Sequence, residues 1–103
     1  MIRFLLFGTE LPIEKAVRRL GDLTGQDVRP WHNEYWGDYY ATLGPSAPQL
    51  RLIENEPDLE GHLPEKDFPG PAVLVYVSEP TPEVEAALHD TDWLEVLRID
   101  ETP

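Results

Sequence analysis

The chain contains no cysteine. That excludes disulfides, thiolate nucleophiles and cysteine-based zinc sites, and it fits a reducing compartment. Cations are scarce: Lys and Arg total 8 against 20 Asp and Glu, for a formal net charge of −12 over 103 residues. No apolar run approaches the roughly 20 residues that a bilayer crossing needs. Serines occur only at Ser46, between prolines, and Ser78. Neither stands in the Gly-x-Ser-x-Gly elbow of a serine hydrolase. There is no phosphate-cradling glycine loop and no basic aromatic patch of the kind that binds RNA.

What remains is enough for one domain with one core. Hydrophobic residues make up 41% of the chain, too many for a disordered tail. The opening run Ile2-Arg3-Phe4-Leu5-Leu6-Phe7 is too short for a secretory h-region, and a Gly-Thr-Glu turn follows it without a small-residue cleavage site. It reads as a buried first strand, and the expected location is cytoplasmic.

Pro12 then opens a helix with Ile13, Ala16, Val17 and Leu20 on one stripe, ended by Gly21 or Gly25. Val28 to Tyr35 predicts a strand in which Pro30 marks an edge or a bulge. Gly37-Asp38 is a turn signal, and Tyr39 to Leu43 the returning strand. Leu50 to Glu54 predicts another strand. Residues 55–71 form one long irregular segment with four prolines, a length that in a compact domain points to a functional loop. Ala72 to Val77 is an apolar, β-branched strand. Thr81 as N-cap, Pro82 at N1 and acids at Glu83 and Glu85 mark a helix start. Leu94 to Ile99 predicts the last strand.

The order β-α-β-β-β-loop-β-α-β predicts an α+β fold. Two short helices cannot cover both faces of a six-stranded sheet. The expectation is a ferredoxin-like β-α-β-β-β-β-α-β sandwich, a single domain over 1–103, with two helices on one face of a mostly antiparallel sheet. The β-α-β-β-β order is also similar to the repeat of vicinal-oxygen-chelate enzymes. Those place a metal ligand on the first strand, where only Arg3 is polar here, so that chemistry is set aside.

Aromatics concentrate at Trp31, Tyr35, Trp36, Tyr39 and Tyr40, with His32, Glu34 and Asp38 among them. Alternation puts Trp31, Asn33 and Tyr35 on one face of their strand and His32, Glu34 and Trp36 on the other. Only one face can meet a core, and Trp and Tyr dominate binding energetics. The competing reading is that these rings only stabilise cross-strand pairs. Charge is uneven too. Residues 1–25 carry +1, from Arg3, Lys15, Arg18 and Arg19 against Glu10, Glu14 and Asp22, leaving −13 on the remainder. Such a field repels nucleic acid and anionic membrane and speeds encounter with a basic protein, although acidity also serves plain solubility.

Glu56, Asp58, Glu60, Gly61 and Asp67 fall at calcium-loop spacing. The flanks read as strand, Pro57 and Pro64 stiffen the segment, and the last acid is the shorter Asp, so no metal is assigned. His32, His62 and His89 are far apart in sequence, and no cofactor is implied. An enzyme using His32 with Glu34 or Asp38 lacks a nucleophile or metal.

Three stretches carry a family resemblance: Tyr35-Trp36-Gly37-Asp38-Tyr39-Tyr40, Leu50 to Asn55, and Phe68-Pro69-Gly70-Pro71 running into Ala72 to Val77. Together they resemble the small acidic immunity proteins of bacterial toxin systems, over about half the chain. The resemblance implies a non-enzymatic inhibitor that occludes a basic toxin domain, often a nuclease. No site residue carries over from it. From the residues themselves, the expected partner-binding set is Trp31, Tyr35, Trp36, Asp38, Tyr39, Tyr40, Glu54, Glu56, Asp58 and Glu60. A small-molecule or regulatory ferredoxin-like module, dimeric in one version, is the alternative.

Overall fold

The computed structural model describes residues 2–34, 37–42 and 49–103, the side chains of Asn33 and Gln49 excepted. Its elements follow the order expected from the sequence: β1 (Ile2–Thr9), α1 (Ile13–Thr24), β2 (Val28–Asn33), β3 (Gly37–Thr42), β4 (Gln49–Glu54), β5 (Val73–Ser78), α2 (Pro82–His89) and β6 (Glu95–Thr102). The segment between β4 and β5 has no regular structure. No helix among the described residues is long and apolar enough to cross a membrane.

Both helices form for local reasons. In α1, Ile13, Ala16 and Leu20 are buried while Lys15, Arg18 and Arg19 face water. Of the two candidate stops, Gly25 is the one used. It takes φ 69°, and its N–H bonds Gly21 O at 2.9 Å, a left-handed cap that favours glycine. In α2, Thr81 Oγ1 accepts from Val84 N at 3.2 Å, and Pro82 occupies the first turn, where a missing N–H costs nothing.

The six strands form one sheet in the order β2-β3-β4-β5-β1-β6. Every neighbouring pair is antiparallel. The α+β class is therefore as expected, but the strand order is not typical of a ferredoxin-like sandwich. The reason is the hairpin. Helix α1 delivers the chain to β2 at the far edge, and β3 and β4 then step back toward β5, so three strands separate β1 from β2. The β5-α2-β6 unit does straddle β1. Pro30, read as an edge marker, sits on an edge strand.

The core lies between the helices and one face of the sheet. Leu5, Phe7, Leu50, Leu52, Val73, Val75 and Val77 meet Ile13, Ala16, Leu20 and Leu88 there. Both helices thus cover the same face. Arg3 fastens α2 to the sheet, its Nε and Nη2 donating to the two Glu85 oxygens at 2.7 and 2.8 Å, with Glu101 of β6 as a second partner. The bidentate guanidinium holds the Glu85 carboxyl below its ordinary range.

Candidate functional site

The sheet face without helices is the candidate site. Strand alternation fixes who stands on it. Leu5, Phe7, Val75 and Leu52 point to the core, so their neighbours Phe4, Leu6, Tyr76 and Arg51 point the other way. The β2–β3 register carries the same division outward. Trp31 lies opposite Tyr39 and Arg29 opposite Ala41, while Ala41 lies opposite Arg51. One row therefore runs Arg29, Ala41, Arg51, Tyr76, Leu6 and Arg98 across all six strands. Trp31 is 45% exposed and Phe4 40%. The Arg51 guanidinium carbon lies 4.7 Å from the Tyr76 ring centroid, a cation–π contact.

Two adjoining hollows occupy this face. The first, about 280 Å³, is walled by Trp31, Tyr39, Arg51, Tyr76 and Ser78; the second, about 260 Å³, by Phe4, Arg51, Tyr76, Arg98 and Asp100.

The long segment 55–71 is a strap laid over the other end of the face. Leu74 and Leu6 lie on the helix-free face and are nevertheless 0% and 2% exposed. The strap begins and ends at adjacent strands, with Asn55 N bonded to Ala72 O at 2.9 Å. Asn55 Nδ2 donates to Phe68 O and Pro71 O at 2.9 and 2.8 Å. In its middle, Glu65 is a shared acceptor, taking the Tyr76 hydroxyl at 2.9 Å and Arg98 Nη1 at 3.3 Å. Burial first, then the Glu65 carboxylate, raises the Tyr76 phenol above its ordinary value, so it stays a donor at any physiological pH. Replacing Glu65 with Ala is expected to destabilise the domain by about 1–2 kcal/mol, by stranding the half-buried Tyr76 donor. It should also speed proteolysis within 55–71. A variant cleaved no faster than wild type would show that the strap is held elsewhere.

The expected partner-binding residues separate into three places. Trp31 and Tyr39 come together on the open face. Tyr40 lies opposite Leu52 and packs against the core, while Asp38 lies opposite His32 on the same side of the sheet, its Oδ1 3.0 Å from His32 Nδ1. Glu54 also stands on the helix side, opposite Val73. Burial, then Glu56 and Glu14, raises its carboxyl pKa. Glu56, Asp58 and Glu60 are exposed on the strap. Asp58 Oδ1 is turned inward, accepting from the N–H groups of Glu60 and His62 at 2.9 Å each. Those bonds, that from His62 foremost, hold its pKa below the ordinary value. Among the described residues no three His, Asp or Glu side chains converge as a metal site would require. Tyr35 and Trp36 lie outside the described residues.

Phe4, Arg51, Glu65, Tyr76 and Arg98 were not anticipated as site residues. Alternation within β4 and β5 puts Arg51 and Tyr76 on the non-core side, but only the register sets them opposite each other.

Fold and site together define a small α+β protein whose six-stranded sheet keeps one face partly open, edged by aromatic rings and arginines. In comparison with known proteins, no family model, no curated protein and no solved structure matches this chain.

Proposed function

We propose that this chain is a non-enzymatic inhibitor that binds a basic protein domain through the open face of its sheet. The role is that of the immunity proteins its sequence resembles, with a toxin domain as target and the cytoplasm as the place of action. The observation that carries the proposal is the Trp31–Tyr39 pair, directly opposed on the sheet face that neither α1 nor α2 covers, with Trp31 45% exposed. Rings held on strands lose little freedom on binding, and large aromatic side chains anchor interfaces. The net charge of −12 supports a basic target drawn in at long range, with Glu56, Asp58 and Glu60 exposed on the strap as its acidic contacts. The open face itself carries Arg29, Arg51 and Arg98 against Asp100, so its contribution is the aromatic contact that slows release.

The test is a pull-down from source-cell lysate at low salt, with wild type and Trp31→Ala in parallel. The expected result is a basic protein retained stoichiometrically, released by salt, and bound about 2 kcal/mol more weakly by the variant. Equal affinity for both proteins would remove the anchor, and retention indifferent to salt would remove the steering.

A small-ligand or regulatory module on a ferredoxin-related scaffold is the second reading. The adjoining hollows and the β5-α2-β6 unit around β1 favour it. The two hollows adjoin through Arg51, Tyr76 and Ser78 and are open to solvent rather than enclosed, which favours a protein partner over a ligand that must be buried.

A further inference from the structure

The sheet has two edges, and they differ. The β2 edge carries Pro30, which has no N–H to offer a further strand. The β6 edge runs eight residues, Glu95–Thr102, without a proline; a bulge at Leu97 breaks its register with β1, and the regular stretch open to a further strand is Arg98–Thr102. It also carries apolar side chains in water. Val96 is 40% and Ile99 45% exposed, and Ile2 and Phe4 on the adjoining strand are 38% and 40% exposed. The other exposed large hydrophobics among the described residues, Leu23, Trp31 and Leu59, are scattered over α1, β2 and the strap. Charged side chains usually guard such an edge, and β6 has Glu95, Arg98, Asp100 and Glu101. The order of two of these charges has the opposite effect.

We infer that β6 pairs antiparallel with β6 of a second copy of this chain, joining two six-stranded sheets into one through a twofold axis at Ile99. The triplet Arg98-Ile99-Asp100 is self-complementary. Centred on Ile99, antiparallel pairing sets Arg98 opposite Asp100 of the second copy, and symmetry makes that pair twice. The faces agree. Arg98 lies opposite Leu6 and Asp100 opposite Phe4, both on the open face, while Ile99 lies opposite Leu5 on the helix side. Opposite charges therefore meet on one face and Ile99 meets its own copy on the other, the pairings that stabilise adjacent strands. Arg98 already bonds Asp100 Oδ2 through Nε at 2.8 Å and Glu65 through Nη1 at 3.3 Å. A guanidinium has five donors, so the arginine can hold its own strap and reach across.

This pairing is independent of the inhibitor proposal. The axis stands perpendicular to the sheet, so both open faces look the same way and both Trp31 edges lie at the far ends. Salt separates the two as well. Two copies at −12 each repel, and relieving that repulsion outweighs the loosening of two exposed ion pairs, each worth little, so screening strengthens the dimer, whereas it weakens capture of a basic partner.

Sedimentation velocity on the full chain decides it, run from micromolar to near-millimolar protein at low and moderate salt. The expected result is a shift from the 11.8 kDa monomer to twice that mass, more complete at higher salt. Asp100→Arg sets two guanidinium groups against each other while leaving the Glu65–Arg98 contact, and should raise the dissociation constant about ten-fold or more. Ile99→Lys should do the same, with circular dichroism to show that each variant is folded. The cysteine-free background allows a direct probe: Ile99→Cys should form a disulfide-linked dimer on mild oxidation, and Leu59→Cys, on the exposed strap, should not. A monomer at every concentration and salt would overturn the inference. So would a dimer indifferent to Asp100→Arg, since that dimer uses another surface.

Discussion

Replacing Phe7 with Ala should destabilise the domain by about 3–5 kcal/mol, the range for a large aromatic removed from a closed core. Phe7 is 0% exposed. It lies in β1 with Val75 opposite on one side and Val96 on the other, and its ring centroid is 5.6 Å from that of His89 on α2. The side chain thus joins three strands to a helix, and none of them can collapse into the space without giving up ladder or helix contacts. For a domain whose total stability is about 5–15 kcal/mol, the loss is about a fifth of the whole at the least. At about 4–8 °C per kcal/mol, the melting temperature should fall by more than about 10 °C. Urea and thermal unfolding both measure this. A midpoint near that of wild type would mean that the core closes around the gap, and that β1 is not its centre.

The neighbouring residue fails in the other direction. A Cβ on Gly8 would lie 2.6 and 2.8 Å from two ring carbons of Pro71, and 3.1 Å from Leu97 Cδ1. A proline ring cannot rotate aside, so the end of the strap must move, and with it the Pro71 carbonyl that Asn55 holds at 2.8 Å. Gly8→Ala should therefore destabilise by about 1–3 kcal/mol. In an uncrowded strand the same change would stabilise, because alanine has less backbone freedom to lose than glycine. The sign of the effect is itself the test. Pro71→Ala in the same chain should restore part of the loss, with a coupling of about 0.5–3 kcal/mol for groups in contact. A stabilised Gly8→Ala protein would show that the strap does not press on the sheet at this point.

The two substitutions also show where sequence reasoning reached and where it stopped. Phe7 belongs to an apolar run, and such runs declare a buried strand whatever their neighbours. The Thr81-Pro82 cap and the α1 stripe are equally local, and both helices stand where these signals put them. The prohibition at Gly8 comes from Pro71, 63 positions away along the chain, and nothing near Gly8 announces it. The same holds for the open face. Alternation correctly sets Trp31 and His32 on opposite sides of β2, but it cannot say which side the helices take. That is settled by Tyr40 lying opposite Leu52, a long-range pairing. The ferredoxin-like expectation departs from the observed strand order for a related reason: the β2-β3-β4 meander carries β2 to the edge, and only the long-range pairings show it.

The position of β1 has a consequence for synthesis. It is made before the other five strands, yet its two neighbours are β5 and β6, made from residues 73–78 and 95–102. The hairpin strands β2, β3 and β4 can pair as they emerge, whereas Phe4-Leu5-Leu6-Phe7 must wait for nearly the whole chain. At roughly 5–20 residues per second that wait lasts several seconds or more. Throughout it, a short aromatic and aliphatic segment is free to associate with other nascent chains, the kind of exposure that leads to aggregation. The topology thus leaves that segment without its native neighbours for longer than any other strand of the sheet.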